Sequence, residues 1–293
     1  MTEMLVGCGQ ITWPRGTPEE QILAEIAQAG YAGAPVYSRG GRSAQEALAL
    51  YARYGLKPAP GYLGADFWRV EQRDDIVKRA CVQARFMREC GCAELYVAAG
   101  GFEGYVTASG KHRNQLAGHV GPDDGLTDAE FRQFADTLDR VGEITLREGV
   151  RSCFHNHVGS VIETQDEIER LLSLADPELL FLGPDTGHLA WAGVDVVGFC
   201  RQYADRIKTI HVKDINAAAL QRGQKEGWDY GTFARNGLFA ELGEGCVDLR
   251  ATFEVLRAAG FCGWAIVETD VTQKPTALES ATVSREYLRS LGL

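Results

Sequence analysis

The chain has 293 residues, of which 45% are hydrophobic and 24% are charged. This composition is typical of a globular protein with a large core, and it argues against disorder. The formal net charge of -10 disfavours nucleic-acid backbones and anionic membrane surfaces as partners. No apolar run approaches the roughly 20 residues that cross a bilayer, and the first residues lack a signal-peptide pattern. We therefore predict a cytoplasmic protein that binds no nucleic acid and no membrane and takes a neutral or metal-chelating substrate.

Short apolar runs alternate with longer amphipathic segments along the whole chain, which is typical of βα units around a parallel sheet. Glycines such as Gly30, Gly149 and Gly260 stand between a helical segment and a strand, where a left-handed helix end is expected. The eight predicted strands are Leu5–Thr12, Tyr31–Val36, Leu56–Tyr62, Glu94–Ala98, Arg151–His157, Leu179–Pro184, Ile207–Val212 and Trp264–Glu268. The pattern predicts an α/β fold, a (β/α)8 TIM barrel that forms a single domain over residues 1–293.

Two predicted connections, Ala99–Leu126 and Ile215–Leu242, are longer than the usual few residues. Each follows the carboxyl end of a strand, and barrel enzymes carry their sites at that face. The eight cysteines are scattered, and several lie in or beside apolar segments. We therefore expect buried free thiols rather than disulfides.

The fifth predicted strand ends with two histidines. Because side chains alternate along a strand, His155 and His157 share one face with Cys153 and leave the top of the barrel together. The following loop returns a carboxylate, Glu163, just before the next helix. A lone histidine is usually structural, but two histidines on one strand face followed by an acid indicate a functional site.

The last three strands each end in acids or histidines. Strand six stops at Asp185 and is followed by His188. Strand seven places His211 and Lys213 on one face, and strand eight ends in Glu268, with Asp270 two residues later. In a closed barrel these ends converge, so Asp185, His211, Glu268 and one group from the strand-five region predict a metal site. Carboxylates and imidazoles suit Mn, Co, Mg, Fe or Zn, and the absence of thiolates argues against structural zinc.

These residues lie in segments that resemble the xylose-isomerase-like barrel superfamily of sugar isomerases and epimerases, and within it the inosose dehydratases. The resembling stretches are Gly9–Trp13, Phe154–Glu163, Asp185–His188 with Ala192-Gly193, His211–Asp214, Gly243–Asp248 and Gly263–Glu268. The similarity is strongest from about residue 150 onward. Superfamily members often carry a glutamate at the end of strand two, whereas this chain has Gly33-Ala34-Pro35-Val36.

The resemblance implies a divalent metal, with Mn or Co preferred, held by Glu, Asp, His and Glu from strands five to eight. Asp185, His211 and Glu268 occupy three of these positions. The fourth is Glu163 if the returning loop supplies it, or His155 or His157 if the strand does. We favour Glu163, because an acid preserves the usual ligand charge and leaves the histidines for proton transfer.

The resemblance further implies loss of water from a keto-inositol, best matched by 2-keto-myo-inositol, through a metal-stabilised enediolate. The base that removes the proton would be His155 or His157, or Lys213 if its pKa is lowered. His188 would be the acid that protonates the departing hydroxyl. Glu268 is also counted among the catalytic residues. Lys213 could equally pair with Asp214 or Glu244 at the rim. The expected substrate contacts are Gln10, Trp13 and Glu244.

Two alternatives remain open at this point. A sugar or keto-sugar isomerase or epimerase shares the first proton abstraction and differs in where the proton returns. A metal-bearing barrel that only binds a ligand would show no turnover. The partner is expected to be a small polyol or keto-sugar, and the superfamily favours a homodimer or homotetramer.

Overall fold

The computed structural model describes residues 4–293 and contains the predicted barrel of parallel strands. Its strands are β1 Leu5–Cys8, β2 Gly33–Pro35, β3 Lys57–Ala59, β4 Tyr62–Ala65, β5 Glu94–Ala99, β6 Arg151–His155, β7 Leu180–Leu182, β8 Ile210–Val212, β9 Asp214–Ile215, β10 Phe239–Ala240 and β11 Trp264–Val267. Eight strand positions form the barrel, whereas β9 and β10 form a small antiparallel ribbon at its carboxyl face.

The third barrel strand is interrupted. β3 pairs with β2, and β4, three residues later, pairs with β5, so the two pieces together occupy one strand position. The interruption falls at Pro60 and Gly61, and a proline has no N–H to donate to a strand ladder. Strand three was predicted as one run, Leu56–Tyr62, and the structure extends it to Ala65 with this break.

The ring closes between the first and last strands. β1 pairs with β11 in register from Leu5 opposite Trp264 to Cys8 opposite Val267. On the other side, β11 pairs with β8, and a parallel bridge joins Asp185 to His211 across the carboxyl ends of β7 and β8. The carboxyl ends of all eight strand positions therefore surround one mouth.

Helices surround the barrel and continue onto its carboxyl face. They are α1 Glu19–Ala29, α2 Ala44–Arg53, α3 Arg73–Glu89, α4 Asp128–Arg147, α5 Gln165–Leu174, α6 Thr186–Trp191, α7 Val196–Gln202, α8 Ala217–Glu226, α9 Tyr230–Arg235, α10 Leu249–Ala258 and α11 Ala277–Ser290. The longest, α4, starts at a capping box formed by Thr127 and Glu130 and buries Phe131, Phe134 and Leu138 on one face. Within residues 4–293, no helix has the length and apolar character needed to cross a membrane.

The two long predicted connections both lie on the carboxyl face. The segment 100–126 contains short 3-10 turns, and the segment 216–242 contains α8, α9 and β10. Phe233 of α9 packs against Trp191 and Trp228 in a second apolar cluster, separate from the main core. The cysteines are free thiols as expected, although Cys246 and Cys262 are exposed rather than buried.

Candidate metal and catalytic site

A cavity of about 320 Å³ opens at the carboxyl ends of the strands. Its lining is Gln10, Ile11, Pro35, Tyr37, Pro60, Tyr62, Tyr96, His155, His157, His211, Lys213, Glu268 and Asp270. Strands β1 to β5 and the turns after them supply an apolar and aromatic wall, and the strands from β6 to β11 supply the acids, imidazoles and ammonium. A ligand in this cavity would therefore meet a charged wall on one side only.

Three residues on the charged wall form a cluster with metal-binding character. One ligand atom from each of His155, Asp185 and His211 lies within 4.8 Å of the others. His155 Nδ1 is 3.3 Å from the Gly183 carbonyl oxygen, which can only accept a hydrogen bond, so Nε2 is left with its lone pair free. Asp185 caps α6 with Oδ1, which accepts from the His188 backbone N–H, and keeps Oδ2 for the cluster.

Asn156 fixes the position of Asp185 in this cluster. Its Oδ1 accepts a hydrogen bond of 2.9 Å from the Asp185 backbone N–H, and its Nδ2 donates to the Asp185 carbonyl at 3.4 Å. The amide therefore holds the carboxyl end of β7 against the end of β6. Support of this kind behind a ligand orients the ligand itself.

Glu268 follows β11 directly and reaches the same cluster. Its Oε2 lies 3.2 Å from His211 Nδ1 and 3.5 Å from Lys213 Nζ. Burial opposes ionisation, but His211 and Lys213 outweigh it and lower the pKa of Glu268 to about 2. Gly9 leaves room for this carboxylate, since a Cβ there would lie 2.5 Å from Glu268 Oε1.

The residues present fit a divalent cation. Asp185 Oδ2 and His211 Nδ1 are buried and 3.9 Å apart, and within residues 4–293 neither makes a well-aligned hydrogen bond, although Lys213 Nζ lies 3.1 Å from the first and Glu268 Oε2 lies 3.2 Å from the second. Buried polar atoms without a well-aligned hydrogen bond usually have another partner, and a bound ion would supply one. The carboxylates of Asp185, Glu268 and Asp270 set against the Lys213 ammonium leave a net charge of minus two when the imidazoles are neutral, which a divalent cation would balance.

Lys213 is the charge centre of the site. Its buried Nζ lies 2.7 Å from Asp270 Oδ1, 3.1 Å from Asp185 Oδ2 and 3.5 Å from Glu268 Oε2. Burial alone would lower the pKa of Lys213, but these three carboxylates raise it well above its ordinary value. This direction does not favour the base role, which required a lowered pKa, and Lys213 contacts these three acids rather than Asp214 or Glu244. Gly187 makes space for the lysine stem, because a Cβ there would lie 2.7 Å from Lys213 Cγ.

A second group lies beside the first and comprises His157, His188 and Asp270. The two imidazole rings are 3.7 Å apart between centroids, and Lys213 Nζ lies 3.2 Å from His188 Nε2. Burial lowers the pKa of His157 to about 4, and burial also lowers the pKa of His188 well below its ordinary value. Because the Lys213 ammonium already stands among these groups, the arrangement suits proton transfer better than a second cation.

Tyr230 of α9 completes this second group. Its hydroxyl donates a hydrogen bond of 3.2 Å to Asp270 Oδ2, and its ring stacks on His157 with centroids 5.8 Å apart. The burial of Tyr230 raises the pKa of its hydroxyl well above the ordinary value. The α8–α9 segment thereby contributes a side chain to the chemistry on the barrel face.

The structure does not place Glu163 in either cluster formed by residues 4–293. Both of its oxygens accept backbone hydrogen bonds instead, Oε1 from Gly118 at 2.7 Å and Oε2 from Gly159 at 2.6 Å. Burial raises the pKa of Glu163 to about 7. The geometry thus favours His155 as the strand-five ligand over the expected glutamate, because the loop after β6 turns Glu163 towards backbone N–H groups.

The three expected substrate contacts have different positions. Gln10 lines the cavity, but its Nε2 donates to the Pro35 carbonyl and its Oε1 accepts from Arg39. Trp13 is buried in the core and donates to Glu25, and Glu244 pairs with Lys274 at the exposed rim. Neither Trp13 nor Glu244 belongs to the cavity lining. Trp13 does not reach the cavity, because after the 3-10 turn Gln10–Thr12 its ring packs into the core.

Sequence reasoning did not select several residues that shape the site. Tyr37, Tyr62 and Tyr96 form the aromatic wall, and Asp270 was noted after strand eight without being assigned a role. Asp214 accepts backbone hydrogen bonds from Gly243, Gly245 and Val247 and so folds the loop 243–247. Tyr37 comes two residues after Pro35, so the alternation of side chains along strand two places both on the face towards the barrel mouth. This spacing could have identified Tyr37 from the sequence.

The fold and the site together define a class of protein. Residues 23–291 match the family model described as xylose isomerase-like TIM barrel, so the chain belongs to that family. Among curated relatives, the inosose dehydratase of Geobacillus kaustophilus (strain HTA426) is 30% identical over 277 residues, which are 93% of this chain and 87% of the relative.

Two solved structures share the fold at lower identity. A probable 3-DHS dehydratase from Bacillus anthracis has a TM-score of 0.72 at 14% identity and covers 98% of this chain and 99% of its own. A 3-keto-D-glucoside 4-epimerase from E. coli has a TM-score of 0.70 at 18% identity and covers 99% of both chains. At these identities the likeness establishes the barrel alone.

Proposed function

We propose that this protein is a metal-dependent hydro-lyase that removes water from a small polyhydroxylated ketone, with 2-keto-myo-inositol as the best candidate. The observation that carries the proposal is the 30% identity to an inosose dehydratase along 93% of this chain. The charged cavity wall supports it, because dehydration next to a carbonyl needs a polarising cation, a base and an acid. A cytoplasmic location and a homodimer or homotetramer remain predictions.

The proposed ligands of the ion are His155, Asp185, His211 and Glu268. Their oxygen and imidazole donors suit Mn or Co, which we propose as the preferred ions, and also admit Mg, Fe and Zn. When bound, the ion would act as a Lewis acid towards the carbonyl and hydroxyl oxygens of the substrate. The residues behind the ligands, Asn156 above all, hold them in place before the ion arrives.

Two side chains in the cavity are placed for the proton transfers. His157 lines the cavity and its low pKa keeps it neutral, so we assign it the C–H proton next to the carbonyl. Lys213 also lines the cavity as an ammonium and would donate a proton to the departing hydroxyl, which leaves as water. His188 does not line the cavity, but its ring lies 3.7 Å from that of His157 between centroids and its Nε2 lies 3.2 Å from Lys213 Nζ, so it can relay the proton that His157 has taken to Lys213 after Lys213 has donated its own. His155 is left as a ligand rather than a base.

The aromatic wall suits the carbon face of a ring. Pro35, Tyr37, Pro60 and Tyr62 line the cavity opposite the charged groups. A cyclic polyol lying flat between the walls would place C–H groups on the rings and oxygens towards the cations. This division favours a small ring compound over a substrate that is polar on both faces.

An epimerase or isomerase remains the second candidate. His157 and Lys213 stand on the same wall of the cavity, which suits isomerisation, because the proton then returns to the same face of a neighbouring carbon, whereas epimerisation would need a donor on the opposite face. A proton taken by one group could be replaced by the other without loss of a hydroxyl. Incubation with keto-sugars in heavy water would detect this outcome as deuterium at the exchanged carbon.

The test of the proposed function is turnover of 2-keto-myo-inositol by manganese-loaded protein, followed by product mass and absorbance. We expect loss of one water, abolished by chelation, and a decrease of about 10²- to 10³-fold in Glu268→Gln. Glu244→Gln, a rim acid paired with Lys274, is the matched control and should turn over normally. Intact substrate with wild-type protein would contradict the dehydratase assignment, and deuterium exchange without water loss would replace it with epimerisation. If keto-sugars neither lose water nor exchange, the result favours a metal-bearing barrel that only binds a ligand.

A further inference from the structure

Glu163 is a buried carboxylate that the proposed chemistry does not use. It lies after β6, and it receives one backbone N–H from each of two loops: Gly118 of the loop after β5 and Gly159 of the loop after β6. Both hydrogen bonds are short, at 2.7 and 2.6 Å. A single side chain thus joins the two loops that border the second histidine group.

Arg113 joins the same two loops independently. The fully buried guanidinium donates Nε to the Ser160 carbonyl at 2.8 Å and Nη1 to the Asp124 carbonyl at 3.0 Å. It also forms a two-pronged pair with Glu167, whose Oε2 in turn accepts from the backbone N–H of Glu163. The bidentate geometry fixes both partners strongly.

The joined loops lead directly to the catalytic histidines. The Ser160 hydroxyl donates to the His157 carbonyl at 2.7 Å, and the Ser160 carbonyl is the one held by Arg113. The Val158 backbone N–H points at His188 Nδ1 at 3.4 Å. A shift of the loop 157–164 would therefore move His157 and loosen the contact with His188. Displacements of about 1 Å at reacting groups cost on the order of 10²-fold in rate.

We infer that Glu163 is a positioning residue that joins the loops after β5 and β6 and so fixes His157 and His188, while taking no part in holding the ion. The inference rests on the proposed function for the role of the two histidines. The join itself is a property of the backbone contacts and can be measured without a substrate.

The test is Glu163→Gln. This change replaces one carboxylate oxygen by an NH2 group, which cannot accept a hydrogen bond from a backbone N–H. Glu94→Gln is the matched control, since Glu94 is a buried acid paired with Arg151 in a cavity with Gly263 and Lys208, away from both loops. Three quantities are measured in each protein: hydrogen exchange of the peptides that contain Gly118 and Gly159, manganese bound per chain, and kcat and KM.

In Glu163→Gln we expect the backbone amides of both loop peptides to exchange at least about tenfold faster than in wild type. The variant should bind wild-type amounts of manganese. Its kcat should fall about 10- to 100-fold, with a smaller change in KM. Glu94→Gln should match wild type in all three. Loss of bound manganese would overturn the inference by making Glu163 a ligand, and unchanged loop exchange would overturn it by showing no join.

Two further points keep the outcomes separate. If wild-type protein turns over no keto-polyol, the proposed function fails, whereas exchange and manganese content still decide the role of Glu163 in joining the loops. If Glu163→Gln does not fold, Ser160→Ala tests the same path with a smaller change. Removal of its hydroxyl should accelerate exchange around His157 and lower kcat without loss of manganese, and wild-type behaviour of this variant would contradict the inference.

Discussion

Lys213 shows how one side chain balances a buried site. Three carboxylates, from Asp185, Glu268 and Asp270, lie within 3.5 Å of its buried ammonium. Removing one member of a buried ion cluster leaves the others uncompensated, which costs far more than the cluster contributes as a whole. We therefore expect the lysine to stabilise the metal-free protein, in addition to its proposed role in proton transfer.

Lys213→Met should lower the free energy of unfolding of the chelator-treated protein by about 3 to 5 kcal/mol, because it leaves the carboxylates unpaired. Urea titration at neutral pH measures the change. Lys274→Met is the control, since Lys274 pairs only with Glu244 at the rim and such pairs stabilise little. Equal stability of both variants would show that the carboxylates do not depend on Lys213.

At the same scale, the alternation of side chains along strands predicted which residues face the mouth but not how loops turn. His155, His157, His211 and Lys213 all line the cavity, as their strand positions suggested. Glu163 stands in a loop, where a period of two has no meaning and the direction of the side chain depends on backbone donors from a distant segment. The raised pKa of Lys213 likewise depends on three acids from two different strand ends, β7 and β11.

The α8–α9 segment is an element whose role follows from its packing. Gly223 of α8 lies against Phe233 of α9 so closely that a Cβ would stand 2.0 Å from the ring, and Phe233 packs on Trp191 beneath. This packing positions Tyr230 over His157. The sequence predicted a long connection here, but its composition did not show that the connection folds back as two helices and a strand.

Tyr230→Phe should keep the ring stacked on His157 but remove the hydrogen bond to Asp270. We expect kcat to fall about tenfold, because a hydrogen bond to a charged group contributes about 1.5 to 3 kcal/mol. Steady-state kinetics at saturating substrate measures the effect. Tyr203→Phe, at the outer end of α7, should behave as wild type. A kcat unchanged by Tyr230→Phe would mean that the hydroxyl plays no part in the reaction.

At the scale of the whole molecule, the ion and the barrel should stabilise each other, because the ligands come from strands that meet only in the folded state. Free manganese at about 1,000 times its Kd would add about 4 kcal/mol, enough to raise Tm by several degrees. Differential scanning calorimetry with chelator and then manganese measures this rise. His211→Ala should abolish it and His112→Ala, on the loop after β5, should keep it. A manganese-independent Tm in wild type would exclude a tight site.

The alternation of strands and helices predicted the barrel and all eight strand positions, because each βα unit repeats the same hydrophobic pattern. The break at Pro60 and Gly61 was not predicted, since a proline within a strand indicates an edge as readily as a bend. Ring closure depends on pairing between β1 and β11, which are separated by most of the chain and have no local signal.

The cavity divides its two walls between the two halves of the chain. The aromatic wall comes from residues before position 100, whereas the charged groups that line the cavity come from residues after position 150. A chimera joined near Gly149, in the turn between α4 and β6, would therefore inherit its acids and bases from one parent and its substrate surface from the other. Mutations in the first half can therefore change which ring compounds bind, while the acids and bases of the second half stay unchanged. Such a barrel can acquire new substrates without replacing the residues proposed for the reaction.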